Sequence, residues 1–271
     1  MAELPELEVY AEALRPLLAG RVLASVDVRH LRVLRREAPG QFSARVTGQQ
    51  IKGLVRRGKT LAVLLGSGDR LDIHLMLRGE IYYFAPGPQG IVPQPVLTLR
   101  LDDGARLVLS DDHFNPMRPA DPKMWVGVNK KERIGLDPLD PAFTPEALAA
   151  LCNRHKILPV KALLCDQRWI GGLGNAYADE ILWEAGIRPR RAASLMSEAE
   201  VGRLHAAVGS VLSEAIGHLR ELMNDRPAGE PRREFLKVHR RSGKPCPRCG
   251  GKIALEEFRD RPTNWCPACQ R

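Results

Sequence analysis

The chain has 271 residues, of which 44% are hydrophobic and 27% charged, and its net charge is +9, enough apolar material for two domains plus a small module. It contains no run of eighteen apolar residues, and its acidic start, MAELPELEVY, lacks the basic end and apolar stretch of a secretory signal. A cytoplasmic protein without a membrane-spanning helix is therefore expected. The positive excess directs the search for partners toward polyanions, of which nucleic acid is the commonest.

The first predicted element is a helix opened by Pro5 and Glu6, with Leu7, Val9, Leu14, Leu17 and Leu18 loosely on one face and Gly20 as its stop. From Arg21 to Ser110 the pattern changes to short β-rich runs, Val22–Val28, Gln50–Val55, Thr60–Leu65, Arg70–Leu75, Ile81–Phe84, Val96–Leu101 and Ala105–Leu109. Turn signals such as Gly66-Ser67-Gly68 and Asp102-Asp103-Gly104 separate them, which predicts an antiparallel sandwich or barrel. Residues 115–141 hold Pro116, Pro119, Pro122, Pro138 and Pro141 with little periodicity, and are expected to be a connector.

Helices follow. Thr144 and Pro145 supply a cap and a first helical residue, and Ala176–Ala185 reads as a helix stopped by Gly186. Ser197-Glu198-Ala199-Glu200 is a capping box ahead of Val201, Leu204, Val208, Val211, Leu212, Ala215 and Leu219, a stripe of about five turns at 3.6 residues per turn. Before Ala176 lies Gly171-Gly172-Leu173-Gly174-Asn175. Backbone N–H groups at such a turn suit a phosphate, yet a tight corner between helices needs the same glycines, and the residues alone leave both readings open.

The last segment carries Cys246-Pro-Arg-Cys249 and, sixteen residues on, Cys266-Pro-Ala-Cys269. Four thiolates at this spacing suit a tetrahedral zinc ion, with iron the lesser alternative. A module of about forty residues cannot offset its chain entropy by apolar burial, so the metal is expected to hold it together. Between Arg226 and Arg271 twelve Lys and Arg face five acids, most of the protein's positive excess. Cys152 and Cys165 read as reduced core residues, and His74, His113, His155 and His239 as single structural or surface residues.

Four segments in order resemble the formamidopyrimidine-DNA glycosylase and endonuclease VIII family. They are Glu3-Leu-Pro-Glu-Leu-Glu8, Arg56-Arg-Gly-Lys-Thr-Leu61, the stretch from Asp166-Gln167 through Gly172-Leu-Gly-Asn-Ala-Tyr-Ala-Asp-Glu180, and Arg261-Pro-Thr-Asn-Trp-Cys-Pro-Ala-Cys-Gln270. The resemblance spans the whole chain and implies an α+β multidomain protein. A catalytic domain of N-terminal helix and antiparallel β-sandwich would occupy 1–114, with a connector at 115–141. A helix-two-turn-helix DNA-binding domain would occupy 142–225 and a four-cysteine zinc finger 235–271.

For function the resemblance implies a repair enzyme acting on damaged DNA with one structural zinc on Cys246, Cys249, Cys266 and Cys269; a monomer is expected because no heptad or large apolar face in the sequence calls for a partner. The α-amine of the processed chain would attack the deoxyribose C1′, displace the base and cleave the strand through a Schiff base. An α-amine has a reference pKa of roughly 7.7–8.0, low enough to be partly uncharged near neutrality. The family's usual residue after Met is proline, whereas this chain has Ala2, a primary amine that still forms an imine. Glu3 corresponds to the proton-shuttling glutamate, although a first-turn acid also complements a helix dipole.

By the same resemblance Lys59, Lys161, Asn175 and Arg261 would grip phosphates, and Leu77 and Phe114 would fill the space a flipped base vacates. Asp112 stands where a cation normally faces the orphaned base. The segment Leu219–Arg233 lacks the Gly/Ser/Thr-rich run of members that capture 8-oxoguanine. A bias toward ring-opened purines, oxidised pyrimidines, hydantoins or abasic sites is therefore expected. Two other readings stand beside this one: a family member that binds lesions without cleaving, and a zinc-ribbon adaptor of another kind.

Overall fold

The computed structural model describes all residues except 36, 88–89, 112–123, 130–133, 155–156, 224–232 and 259–260. The chain divides into two compact units, one of Met1–Glu132 with Leu219–Arg232, the other of Arg133–His218 with Arg233–Arg271.

The first unit begins with helix α1 (Leu4–Leu18), which buries Leu4, Leu7, Tyr10, Ala11, Leu14 and Leu18. Spacings of three and four place these residues on one stripe, and Pro5 sits in the first turn, where its missing N–H costs nothing. Two four-stranded antiparallel sheets follow. Strands β1 (Leu23–Val28), β6 (Pro95–Leu101), β7 (Arg106–Asp111) and β5 (Gly79–Phe84) form one in the order β1-β6-β7-β5, and β2 (Ile51–Arg57), β3 (Thr60–Leu65), β4 (Arg70–His74) and β8 (Trp125–Asn129) form the other in that order. Strands β3 and β7 are buried at nearly every position, so both of their faces are covered and alternation disappears from their sequences.

In this unit β8 and α2 carry no signal in the sequence. Strand β8 lies inside the proline-rich connector and pairs with β4, Val126 opposite Ile73, because Met124 and Val126 carry enough apolar surface to close the sheet edge. Helix α2 (Pro39–Val46) is too short for a periodic signal, yet Phe42 and Val46, four apart, are fully buried.

In the second unit α3 (Pro145–Arg154) starts as expected, with Thr144 Oγ1 accepting the Ala147 N–H at 3.2 Å. Helix α4 (Val160–Cys165) is a six-residue turn of helix that propensity does not mark. Helix α5 (Asn175–Ala185) stops at Gly186 in the left-handed conformation, φ +70. The Ser197–Glu200 box closes in both directions, at 2.7 and 3.2 Å, and begins α6 (Glu198–Met223), 26 residues long. The hairpin of β9 (Ala254–Phe258) and β10 (Arg261–Trp265) completes the unit, next in the chain to Ile253 and Cys266, which form one apolar cluster with Val238, Cys246 and Trp183 of α5. Among the described residues no helix is long and apolar enough to cross a membrane.

Candidate functional site

Glu3 caps α1 and is only 3% exposed, and it forms a capping box with Glu6, whose carboxylate accepts the Glu3 N–H at 2.8 Å. The sequence Glu3-Leu-Pro-Glu6 thus spends one acid on fixing the backbone of the other. The Glu3 carboxylate is held at the positive end of the helix, one residue from Ala2.

Lys59 lies at the tip of the β2–β3 hairpin, in a two-residue turn between the paired Arg57 and Thr60. Gly58 supplies the left-handed residue of that turn, φ +56. Two contacts orient the hairpin on α1. Arg15 Nε donates to Leu54 O at 2.9 Å, and Arg56 Nε donates to Glu8 at 2.6 Å. The helix therefore runs toward its start as β2 runs toward its tip, which carries Lys59 to the same end as Glu3.

His74, at the end of β4, belongs to that end too. Its ring stacks on Trp125 at 5.4 Å, and the Arg35 guanidinium lies 4.4 Å from the Trp125 centroid. Burial, then the nearby charge of Lys59, lowers the His74 pKa to about 4, so the ring is neutral at physiological pH. Nδ1 accepts the Met76 N–H at 3.1 Å, which leaves the ring proton on Nε2 as a donor. The sequence shows His74 only as a structural or surface residue, because a single histidine in a strand has no spacing to mark it. Beyond it Met76 adopts φ +51 and Leu77 stands 41% exposed on the turn into β5. Phe114, Asp112, His113 and His155 lie outside the described residues.

In the second unit Lys161, Asn175 and Arg261 line one cavity of about 400 Å³ together with Gln167 and Phe258. Asn175 is the first residue of α5, and its Nδ2 donates to Pro262 O at 2.7 Å, tying the helix start to the hairpin beside the exposed Arg261. Gln167 shapes the glycine turn by accepting the Gly172 N–H at 2.8 Å and donating to Leu173 O at 2.7 Å. Lys161 is 2% exposed, and its ammonium donates to Asp179 at 2.6 Å and Thr263 at 2.7 Å. The other oxygen of Asp179 accepts from Asn264 N and Nδ2 and lies 2.8 Å from His239 Nδ1. Glu180, the next residue, accepts the N–H groups of Lys237, Val238 and His239. Neither the network nor the role of His239 is visible in the sequence, since its members lie as far apart as 161 and 264.

The sulfurs of Cys246, Cys249, Cys266 and Cys269 all lie within 4.8 Å of one another, with Cys246–Cys269 at 3.9 Å and Cys249–Cys266 at 3.5 Å. A tetrahedral Zn–S distance of about 2.3 Å implies sulfurs about 3.8 Å apart, so the four fit one zinc ion. Charge points the same way. Burial alone would raise the Cys246 thiol, but donors from Trp183 and two backbone amides outweigh it and lower its pKa to about 6. Burial and then the neighbouring sulfurs push Cys269 up to about 12. Four thiolates this close require a cation among them.

The sequence profile of the formamidopyrimidine-DNA glycosylase N-terminal domain matches residues 1–114, that of the formamidopyrimidine-DNA glycosylase H2TH domain 134–224, and the zinc finger found in FPG and IleRS 243–271. A formamidopyrimidine-DNA glycosylase of Pelotomaculum thermopropionicum is 34% identical over 100% of this chain and 99% of its own length. One of Moorella thermoacetica is 38% identical over 92% of both. Among solved structures, the Lactococcus lactis Fpg in complex with an abasic-site-containing DNA superposes with a TM-score of 0.84 at 25% identity, covering 100% of each chain. The same protein with an oxidised-pyrimidine-containing DNA gives 0.85 at 25%, covering 99% of each.

The chain belongs to the formamidopyrimidine-DNA glycosylase family. It is a DNA-binding repair enzyme of the glycosylase class, with a helix-two-turn-helix domain and a four-cysteine finger that holds one structural zinc.

Proposed function

We propose that the protein, after removal of Met1, excises oxidised or ring-opened bases and then cleaves the strand, with the Ala2 α-amine as nucleophile. The observation that carries this reading is the Glu3 carboxylate, locked by its box with Glu6 at the start of α1, one residue after Ala2 in the chain. The amine nitrogen bonds to C1′ as the glycosidic bond breaks and the base departs. The departing base takes one proton from the attacking nitrogen, Glu3 gives a proton to the sugar ring oxygen as the ring opens, and the nitrogen keeps its other proton, leaving a protonated Schiff base. Loss of a C2′ proton then expels the 3′ phosphate. Lys59 meets the phosphate beside the lesion. Asn175 and Arg261 grip the backbone from the helical unit and the hairpin, and Lys161 holds the hairpin in place behind them. Leu77 and Phe114 wedge into the gap.

The lesion preference follows the segment after α6, which is short and without a Gly/Ser/Thr-rich run. Ring-opened purines, oxidised pyrimidines, hydantoins and abasic sites are favoured over 8-oxoguanine, and comparable excision of 8-oxoguanine opposite cytosine would refute this. The functional domains are 1–114, 142–225 and 235–271, and the enzyme works as a monomer in the cytoplasm.

Borohydride reduction on abasic-site DNA tests the amine chemistry, because it converts an imine into a stable covalent adduct. The wild-type protein is expected to form the adduct after Met1 removal is confirmed by mass spectrometry. Glu3→Gln and acetylation of the N-terminus should abolish it while DNA binding persists. Firm binding with neither adduct nor strand cleavage would sink the nucleophile assignment and leave a lesion binder.

A further inference from the structure

Trp183 lies on α5 eight residues after Asn175, 5% exposed and packed into the apolar cluster with Cys246 and Cys266. Its indole Nε1 donates to Cys246 Sγ at 3.3 Å. Arg248, inside the first Cys-x-x-Cys turn, donates to Trp183 O at 3.0 Å and sets its guanidinium 4.3 Å from the ring centroid, so the ring has little freedom to turn its N–H away. Cys246 also takes backbone N–H bonds from Arg248 and Cys249, and Cys266 in the second turn takes them from Ala268 and Cys269. Cys246 thus has an indole donor in addition to the pair of amides its counterpart receives. We propose that Trp183 is a positioning residue of the metal centre, whose N–H draws charge from the Cys246 thiolate and thereby slows loss of the zinc from the four cysteines.

A tetrathiolate site leaves a net negative charge around a divalent ion, and each donor to sulfur disperses part of it and makes the thiolate a poorer target for acid and oxidant. The same helix carries Asn175, Asp179 and Glu180, which hold the hairpin bearing Arg261 and the segment leading to it. Retention of the metal is thereby tied to the element that presents that arginine.

The full-length zinc protein is challenged with a chromogenic chelator, and the cobalt-substituted protein is examined for its sulfur-to-metal charge-transfer band. Trp183→Phe keeps an aromatic ring beneath Arg248 and removes the N–H. It should release zinc about tenfold faster, the usual consequence of losing a partner of a metal ligand, and should shift the charge-transfer band to lower energy. Replacing Trp183 by 3-benzothienylalanine, which has the shape of indole with sulfur in place of N–H, should do the same, and decides the matter if the phenylalanine variant loads metal poorly. Unchanged release and an unchanged band would overturn the proposal. Faster release with the band unmoved in both variants would also overturn it, because packing alone would then account for the effect.

Discussion

Lys161, a phosphate grip by resemblance, has an ammonium that is buried and bonded to Asp179 and Thr263. Lys161→Met would leave Asp179 buried without its cation, at a cost of about 3–5 kcal/mol in urea unfolding, and adding Asp179→Asn should recover part of it. Arg261 is exposed and should behave oppositely: Arg261→Ala leaves stability nearly unchanged, weakens DNA binding, and reduces the slope of log K against log salt by about 1. His74 gives a pH signature with a defined sign. Its pKa falls from 6.5 unfolded to about 4 folded, so the unfolded state binds the proton first and stability is lost as pH falls from 6.5 to 4. After allowance for its partial exposure the loss is about 2 kcal/mol, and it should be absent from His74→Phe, and so appear as the difference from wild type, in denaturant titrations across that window.

At the scale of elements, the decisive contacts join pieces that each have their own sequence signal. The β2–β3 hairpin and α1 are both legible, but only Arg56–Glu8 and Arg15–Leu54 set the direction in which one lies on the other. The β4–β5 turn is equally constrained. A Cβ on Gly79 would sit 2.5 Å from the Leu75 backbone O, which has no flexible end to move aside, so Gly79→Ala should destabilise by about 2–3 kcal/mol and disturb the turn that carries Leu77. Removal of zinc by a strong chelator should unfold the Cys246–Cys269 module, read as a change in Trp183 and Trp265 fluorescence. The far-ultraviolet signal of the two four-stranded sheets should remain, since they belong to the other unit. Strand β8 is hidden in the sequence because flanking prolines mask a five-residue run, and α2 because eight residues give no period to measure.

Across the whole molecule, the basic tail and net charge of +9 fit an enzyme that must hold DNA of any sequence, where contacts to phosphate dominate and base contacts would be a hindrance. The sequence by itself determined the metal ligands, the capping box at Ser197, the glycine turn before Asn175 and the family, because each rests on residues close in the chain, where covalent spacing sets geometry. Tertiary structure alone decided that the Lys161 ammonium bonds Asp179 and Thr263, that His74 is neutral beside Lys59, and that Trp183 donates to Cys246. Those facts depend on desolvation and on partners brought together from distant parts of the chain, which no local spacing encodes.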